Sequence, residues 1–544
     1  MAQESLQLEP ISSNKGDVLV EAAPVERSRY DIDNAELTRL GKKPVLKRNF
    51  GLISMLAFGC TVMITWEAIF ILFAVSFTNG GSAGSIYEFI LVWLGTLAAF
   101  STMGELASMA PTAGGQYHWV SMLAPKSSRK FMSYLIGWLT LVGWQAIVSG
   151  ACYLCASLVQ GLMVLNDSAY QPTAWQLMLI YWATLLVALS VNTVIAQQLP
   201  NVESLILILH TFGFFAILIP LVYFAPHGNA KEVFTSFNNG GLWPSNGISF
   251  LIGCVGPCFA LLGADAAVHM SEEITNPAKN VPRAMVFSIL LNGSLGLAML
   301  IATLFCLGDA DAALASATHF PFMEIFLQAV GSVPGALTMA SIITTLNICA
   351  TISVVATASR MTWAFARDRG TPGWRILGKI EPKTTLPIAS ITLTMIIAVL
   401  LSLIGLGSAV AFNNLISLSV NGLFASYLIG NALLLYRRVT GDIKPYSATD
   451  TTLTNTIDAE YLTWGPWKIQ EPFGTIINAF GCAFLFIMLI FSFWPIGNHP
   501  EPATMNYSSL MCGTVTIFSV VYYFFWAKQT YTGPVIEVGV AEAK

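Results

Sequence analysis

The sequence predicts an all-α integral membrane protein with twelve transmembrane helices. Hydrophobic residues make up 55% of its 544 residues and charged residues only 10%, whereas soluble proteins carry roughly a quarter charged residues. Two of the apolar runs, the first and the sixth, are interrupted by small and polar residues. The twelve runs, each about 20 residues or longer and so able to cross a bilayer, lie near 51–78, 86–110, 131–165, 172–194, 202–225, 248–274, 284–308, 330–366, 386–406, 410–437, 473–496 and 506–528.

The basic residues predict the orientation of these spans. An even number of spans places both chain ends on one side, and 25 of the 26 Lys and Arg fall on that side, with only Lys231 opposite. Cytoplasmic segments carry the excess of Lys and Arg, so both termini are predicted to be cytoplasmic. Residues 1–49 are predicted to form a disordered tail without a cleavable signal peptide, and residues 529–544 a C-terminal tail.

The sixth run, 248–274, contains the most informative interruption. Gly263 and Asp265 fall inside a stretch that is otherwise apolar. A carboxylate at this depth is costly unless it faces protein or water, and an unwound backbone survives there only under the same condition. Asp265 is therefore a candidate binding residue. The alternative interpretation is that its side chain only caps a second half-helix.

The first run has a similar interruption, Phe58-Gly59-Cys60-Thr61, followed by Thr65, Trp66 and Glu67. The two interrupted runs are five spans apart, as expected if two five-helix halves are inverted repeats. Breaks at matching positions of two such halves point to the substrate site of a transporter. The alternative is that the glycine of the first run only packs against a neighbouring helix.

Three polar side chains within the spans each have two alternative roles. His210 in span five is either hydrogen-bonded to a carbonyl or a proton carrier, because an imidazole titrates near ambient pH. Glu67 in span one is either the packing partner of a Thr or Asn or a direct substrate ligand. Asn347 belongs to a polar face of span eight that either packs or lines a cavity. Between spans two and three, Gly104–Trp119 is predicted to be an interfacial re-entrant or surface segment.

Four motifs resemble those of a known family. Residues 111–119 read PTAGGQYHW, residues 272–284 follow the pattern E-E-x-x-N-P-x-x-x-V-P-R-A, and residues 359–373 read SRMTWAFARDRGTPG. With LILHTFGFFAILIP in span five, they resemble the amino acid–polyamine–organocation transporters, and most of all the fungal amino acid/choline/GABA permease branch. The resemblance covers the chain from about 45 to 530.

This resemblance implies a fold and an activity. The fold is the five-plus-five inverted-repeat (LeuT-like) arrangement with broken helices 1 and 6. Its first repeat lies at about 51–225, its second at about 248–437, and helices 11 and 12 at about 473–528 lie outside the repeats. The implied activity is secondary active uptake, usually driven by protons.

The resemblance also places the substrate site at the two breaks. Phe259 falls where relatives have an aromatic gate, and His210 where some relatives have a lysine that stands in for sodium. Span one lacks the usual G-x-G glycines at its break. Together with Trp144 and Asn347, the candidate substrate-binding residues are Thr61, Val62, Met63, Ile64 and Thr65 of span one and Phe259, Ala260, Leu261, Leu262, Gly263 and Asp265 of span six.

Two classes of substrate fit these residues. An amino acid or GABA would use half-helix N-termini for its carboxylate and free carbonyls for its ammonium group. Choline would use cation–π contacts with Phe259, Trp66 or Trp144, with Asp265 or Glu67 as the counter-charge. His210 and Glu67 are the predicted proton-coupling residues, and a charged His210 is expected to hold spans one, five and eight in one arrangement.

Other classes of function are disfavoured by what the sequence lacks. The six His are dispersed and the nine Cys include no metal-type CxxC pair, so the sequence predicts no metal, no cofactor and no membrane enzyme. A GxxxxGK[ST] loop and a basic stripe for nucleic acid are also absent. A nutrient sensor, an exchanger or a channel on the same fold remains an alternative. The bilayer, protons and a small amine or amino acid are the predicted partners, in a plasma or vacuolar membrane, with the oligomeric state left open.

Overall fold

Long apolar helices make up most of the computed structural model, which describes residues 29–407, 409–447, 452–502 and 504–537. Among these residues, ten helices are long and apolar enough to cross a membrane. Shorter apolar helices, Asn246–Ala260 and Ile388–Leu403, cover the two remaining predicted runs. The first of these is short because the sixth run is broken into pieces. The chain is therefore a multi-pass helical membrane protein.

The described part of the first half, from residue 29 onward, contains nine α-helices and one 3₁₀ turn at Ala196–Gln198. In chain order the helices are α1 (Arg29–Arg39), α2 (Leu52–Met63), α3 (Thr65–Ile71), α4 (Phe73–Met109), α5 (Gln116–Leu123), α6 (Arg129–Asn166), α7 (Ala174–Thr193), α8 (Leu199–Phe224) and α9 (Ala230–Thr235).

In the second half, the residues that the structure describes form thirteen helices, a 3₁₀ turn at Ser271–Glu273, a π-helical turn at Tyr523–Ala527 and two short parallel strands. The helices are α10 (Asn246–Gly253), α11 (Val255–Ala260), α12 (Ala266–His269), α13 (Pro277–Phe305), α14 (Ala310–Leu314), α15 (Pro321–Val330), α16 (Val333–Arg367), α17 (Trp374–Leu377), α18 (Ile388–Gly407), α19 (Ala409–Thr440), α20 (Phe473–Phe491), α21 (Ser508–Tyr522) and α22 (Lys528–Thr530). The strands are β1 (Ile443–Lys444) and β2 (Leu462–Thr463).

The helices divide into central and peripheral ones. The apolar windows of α2–α3 and α16 are each 72% buried by the rest of the protein, whereas those of α7 and of the α21–α22 region are only 22% and 17% buried. Peripheral helices expose large apolar side chains such as Phe212 and Tyr223 on α8. A continuous apolar surface of this kind suits contact with lipid, and it leaves α2, α3 and α16 around the centre.

A kink divides the long helix α4 into two segments. Gly81 has a φ of +64°, and a Cβ at this position would lie 2.8 Å from the backbone nitrogen of Asn238. Only glycine adopts this conformation without strain. Residues 73–80 thus continue the first span, and residues 82–109 form the second, as the two separate apolar runs predict.

Residues 29–49 differ from the disordered tail predicted for residues 1–49. They contain α1, and Lys42 is buried and paired with Asp368. At the other end, the Tyr531 hydroxyl lies 2.6 Å from that of Ser133, and the backbone N–H of Val535 donates to Asp368. Both terminal segments therefore dock near the C-terminal end of α16. Residues 1–28 and 538–544 lie outside the described chain.

Candidate functional site

The first span is broken at a single residue. α2 ends at Met63, Ile64 has left-handed backbone angles (φ 37°, ψ 49°), and α3 begins at Thr65. A β-branched residue in this region is a strained outlier, which marks the position as one held by its surroundings. The five-residue unwound stretch predicted from Thr61 to Thr65 is therefore wrong, since the first three residues are helical. Thr61 donates its hydroxyl hydrogen to the carbonyl of Ala57 at 2.9 Å.

The second broken span has the longer interruption. α11 ends at Ala260 and α12 begins at Ala266, so Leu261–Asp265 connects two half-helices. Gly263 in this connection has a φ of +105°, which L-residues with a Cβ rarely adopt. The break that the sequence predicts in span six is confirmed, while Phe259 and Ala260 lie in the last turn of α11.

The two breaks meet beneath one aromatic ring. A Cβ added to Gly263 would lie 2.9 Å from Cγ1 of Val62 and 3.6 Å from Cη2 of Trp144. Trp144 is fully buried, and its indole Nε1 has no hydrogen-bond partner among the described residues. The buried Thr65 hydroxyl at the start of α3 is also unpaired within the described chain. Spans one, three and six thus converge at Val62, Trp144 and Gly263, and two buried polar groups of these spans have no partner in the described chain.

Asn347 lies away from this centre. Its amide donates to Sγ of Cys155 at 3.0 Å. Cys155 is eleven residues after Trp144 on α6, or about 16 Å along the helix axis. Asn347 therefore joins α16 to α6, and packing is the role that its contacts favour. Phe259 is half-buried beside the second break.

Asp265 connects the second break to two distant helices. Its Oδ2 accepts a hydrogen bond from the Gln116 amide at 2.7 Å, and its Oδ1 accepts one from the Tyr427 hydroxyl at 2.5 Å. His269 Nε2 lies 3.6 Å from Oδ2. The capping interpretation is wrong, because the side chain makes no hydrogen bond to the N-terminal N–H groups of α12 in the described structure. Both oxygens are instead used to join α12 to α5 and α19.

Glu67 and His210 form a buried pair next to the first break. Oε1 of Glu67 on α3 lies 2.7 Å from Nδ1 of His210 on α8, and neither side chain is more than 1% exposed. Within the described residues, Glu67 Oε2 and His210 Nε2 have no further partner. The Trp66 ring lies 5.7 Å from the imidazole. The alternatives of a carbonyl partner for His210 and a Thr or Asn partner for Glu67 are therefore wrong.

Sequence reasoning missed several residues of this region. Glu203 on α8 is fully buried and accepts a hydrogen bond from the Ser353 hydroxyl at 2.7 Å. It precedes His210 by seven residues, two helical turns, so a search for polar residues on one helix face finds it. Tyr427 carries no comparable signal, because a single tyrosine in an apolar run usually packs.

The segment Gly104–Trp119 is buried rather than exposed at the surface. All eight residues of α5 are buried. Besides Gln116, which reaches Asp265, Tyr117 donates its hydroxyl hydrogen to Asp368 at 2.8 Å. The surface alternative for this segment is wrong, and its polar side chains link the breaks to the end of α16.

Buried charges surround the C-terminal end of α16. We call this group the ion-pair cluster, and its members are Lys42, Glu272, Glu273, Arg360, Arg367 and Asp368. Arg367 binds Glu272 through two hydrogen bonds of 2.7 and 2.9 Å, and Arg360 binds Glu273 at 2.9 Å. Bidentate arginine–carboxylate pairs are among the strongest polar contacts.

Asp368 joins the terminal segments to this cluster. It accepts from Lys42, the Tyr117 hydroxyl and the backbone N–H of Val535. Burial by itself raises the pKa of the Asp368 carboxyl, but the neighbouring Lys42 and Arg367 charges and these donors hold its pKa below the usual range. Asp368 is therefore charged at neutral pH, and it holds α16 to both ends of the described chain.

A bundle of apolar helices in which two discontinuous spans meet at a buried centre defines the transporter class of membrane proteins. The sequence model of the amino acid permease family matches residues 50–518. The chain belongs to this family, which confirms the resemblance to the amino acid–polyamine–organocation transporters and excludes an enzyme.

Similar proteins occur in fungi under several substrate names. The chain is 27% identical to a choline transporter of Saccharomyces cerevisiae over 508 residues, 92% of this chain and 85% of the relative. It is 28% identical to an uncharacterized amino-acid permease of Schizosaccharomyces pombe, covering 93% of this chain and 90% of the relative. It is 25% identical to a GABA-specific permease of Saccharomyces cerevisiae, covering 98% and 91%. The names of these relatives state different substrates.

Proposed function

We propose that the protein is a proton-coupled permease that imports an amino acid, GABA, choline or a related small amine by alternating access. The observation that carries this proposal is the meeting of the two breaks at Val62, Gly263 and Trp144. A site between two broken helices is accessible from either face when the helix halves on that face move apart. The names of the relatives support a small amine or amino acid as the substrate.

The proposed topology has twelve spans in two inverted repeats of five, with α20 and α21 outside the repeats. In this arrangement α10–α12 and α18 are the sixth and ninth spans. Both termini are cytoplasmic, because nearly all Lys and Arg lie on their side. The ion-pair cluster then closes the cytoplasmic face, and the plasma membrane is the proposed location.

The proposed substrate contacts are the polar groups left unpaired at the centre. The Thr65 hydroxyl and the Trp144 indole N–H are available to a substrate carboxylate. Asp265 is committed to Gln116 and Tyr427, so it supports the shape of the break rather than a counter-charge for choline. These contacts favour a substrate that has a carboxylate.

Proton coupling is assigned to the His210–Glu67 pair. With one proton shared between them, the two side chains have no net charge, whether both are neutral or they form an internal ion pair. A second proton gives the pair a net positive charge beside the first break. Gain or loss of this proton changes the contact between α3 and α8. A titratable pair inside the membrane that joins two helices is suited to carry protons in a transporter.

The first experiment measures uptake of labelled GABA, choline, neutral amino acids and polyamines into proteoliposomes with and without an inward proton gradient. Gradient-driven accumulation of one class is the expected result. Binding without accumulation would favour a sensor, and exchange without net accumulation would favour an exchanger.

The second experiment tests the coupling pair. His210→Ala is expected to remove the share of the dependence of uptake on external acid that this pair carries, because the proton is then lost from the α3–α8 contact. His227→Ala is the matched control, since His227 is exposed and bonded to the carbonyl of Val222. Full pH dependence in His210→Ala would refute this role.

A further inference from the structure

Glu88 is a buried carboxyl that the mechanism above does not use. It lies on the second segment of α4 and is 0% exposed. Both of its carboxyl oxygens lack a hydrogen-bond partner among the described residues. Burying an ionised carboxylate without a cation or donors is strongly unfavourable, and such a group takes up a proton instead.

Three glycines surround this carboxyl. A methyl group at Gly80 or Gly253 would collide with the Glu88 carboxyl, and one at Gly84 would lie 3.5 Å from Oε1. Gly80 closes the first span, while Gly253 is the last residue of α10 in the other broken span. The carboxyl therefore fills the space between the two broken spans, on the side of α3 and α11.

The nearest hydroxyl is suited to a protonated carboxyl. Ser76 lies beside Glu88, and its hydroxyl donates to the carbonyl oxygen of Gly253 at 3.0 Å. A hydroxyl has a single hydrogen to donate, so the Ser76 oxygen can only accept from Glu88. A protonated Glu88 supplies the missing donor and completes a chain from Glu88 through Ser76 to the joint between α10 and α11.

Among the described residues, Glu88 forms no ion pair that could replace the proton. The titratable group that faces it is the buried Cys254 thiol at the α10–α11 joint. Lys231 and Glu232 on the adjoining α9 are exposed, and α20, which also packs on α4, has no charged residue. On α13 the charged residues, Lys279 and Arg283, lie in the first two turns, far along the helix from this site.

A small cavity connects this site to the second break. It lies between α3, α4 and α11, and the residues that line it include Ser76, Ser85, Phe89 and Ala260. Ser76 belongs both to this cavity and to the surroundings of Glu88. Ala260 is the last residue of α11, so this cavity adjoins both the surroundings of Glu88 and the second break.

We propose that Glu88 is a second proton-binding site, occupied when the first span and α10 are packed together and emptied when they separate. Ionisation requires water at the carboxyl, and water enters only if Gly80 and Gly253 move apart. The proposal rests on the alternating-access function above and adds one coupled proton to that of the His210–Glu67 pair.

The test uses Glu88→Gln, in which a carboxamide imitates the protonated acid, and Glu232→Gln, an exposed acid, as the control. In detergent, Glu88→Gln is expected to fold and to melt within a few degrees of the unmodified protein. Failure to fold or a large loss of melting temperature would overturn the proposal, because it would mean that the charged form is needed.

The second readout is the proton-to-substrate ratio in proteoliposomes, measured with a pH-sensitive dye and labelled substrate. Glu88→Gln is expected to lower the ratio by one, and so to lower accumulation about tenfold for a gradient of about one pH unit. Exchange of internal for external substrate is expected to stay unchanged. A ratio equal to that of the unmodified protein would refute the proposal.

Different results would contradict the proposed transport function and the proposed proton site at Glu88. If the unmodified protein shows no gradient-driven accumulation, the proposed function is wrong. The protonation of Glu88 is then still decided by the melting experiment and by an infrared carboxylic-acid band that Glu88→Gln removes at neutral pH. Absence of this band in the unmodified protein would also overturn the proposal.

Discussion

Buried carboxyl groups lie near both ends of α4, and they are neutralised in opposite ways. Near its C-terminal end, Glu272, Glu273 and Asp368 are each paired with Lys or Arg. About 30 Å away along α4, Glu88 is buried without any such partner among the described residues. One region neutralises its carboxylates with fixed cations, and the other leaves the proton as the counter-charge.

This difference predicts how the stability of the protein responds to substitutions in each region. A buried ion pair is weak evidence for stability as a whole, but the removal of one partner is strongly destabilising. A protonated carboxyl behaves differently, because a neutral isostere replaces it without leaving a charge. Substitutions at the two regions therefore distinguish an ion-pair lock from a proton site.

The largest effect is expected for Arg367→Ala, which leaves Glu272 buried without its bidentate partner. We expect the free energy of unfolding to fall by about 3–5 kcal/mol, measured as a loss of melting temperature and yield in detergent. Arg375→Ala on α17 is the control, because Arg375 is exposed. Equal melting of the two variants would show that the cluster does not hold its acids as described.

Asp368→Asn is expected to cost about 2–3 kcal/mol at neutral pH, since charged hydrogen bonds to Lys42 are lost. The pKa of Asp368 is below the usual range in the folded protein, so its stabilising contribution is fully present above about pH 4. It is lost as the pH falls through the folded pKa. Melting curves of both proteins should therefore differ by a constant amount from pH 5 to 8 and converge in stronger acid; a difference that persists unchanged in acid would contradict the assignment.

Gly253→Ala tests the close packing of α10 against the Glu88 carboxyl. The added methyl group collides with the Glu88 carboxyl, and overpacking of this kind costs about 1–2 kcal/mol. A second substitution, Glu88→Ala, should relieve much of the cost. Gly513→Ala on α21 is the control, because a Cβ there meets nothing within 4 Å. Independent, additive effects at positions 253 and 88 would argue against their contact.

The smallest effect is expected for Tyr531→Phe in the C-terminal segment. It removes one hydrogen bond to Ser133, which still donates to the carbonyl of Tyr117 at 2.8 Å. A loss of about 1 kcal/mol is expected, and Tyr223→Phe on the exposed face of α8 serves as the control. A loss as large as that of Arg367→Ala would mean that the segment contributes far more than this one contact.

The sequence alone predicts the long-range order of the fold better than the contacts of the site. Apolar runs locate every one of the long helices, and Gly263 signals the second break because its backbone requires a glycine. Ile64 gives no such signal, since its left-handed conformation is imposed by packing. That is why the predicted first break is too long.

Side-chain partners that lie far apart in the chain could not be predicted. The sequence predicts one role, proton coupling, for both Glu67 and His210, yet their direct contact depends on how α3 packs against α8. Asp265 is similar, because its partners Gln116 and Tyr427 come from segments that no local pattern connects to it. Only a folded chain shows which polar groups each of these acids already uses.

The docking of both terminal segments has a consequence for counting membrane crossings. The backbone N–H of Glu537 donates to the carbonyl of Gly41, so the chain enters and leaves the helical bundle on one face. Such a chain has crossed the bilayer an even number of times. If the ten long apolar helices of the described chain each cross once, an even number of the three shorter ones, at 246–260, 321–330 and 388–403, completes a crossing. The proposed topology of twelve spans satisfies this parity.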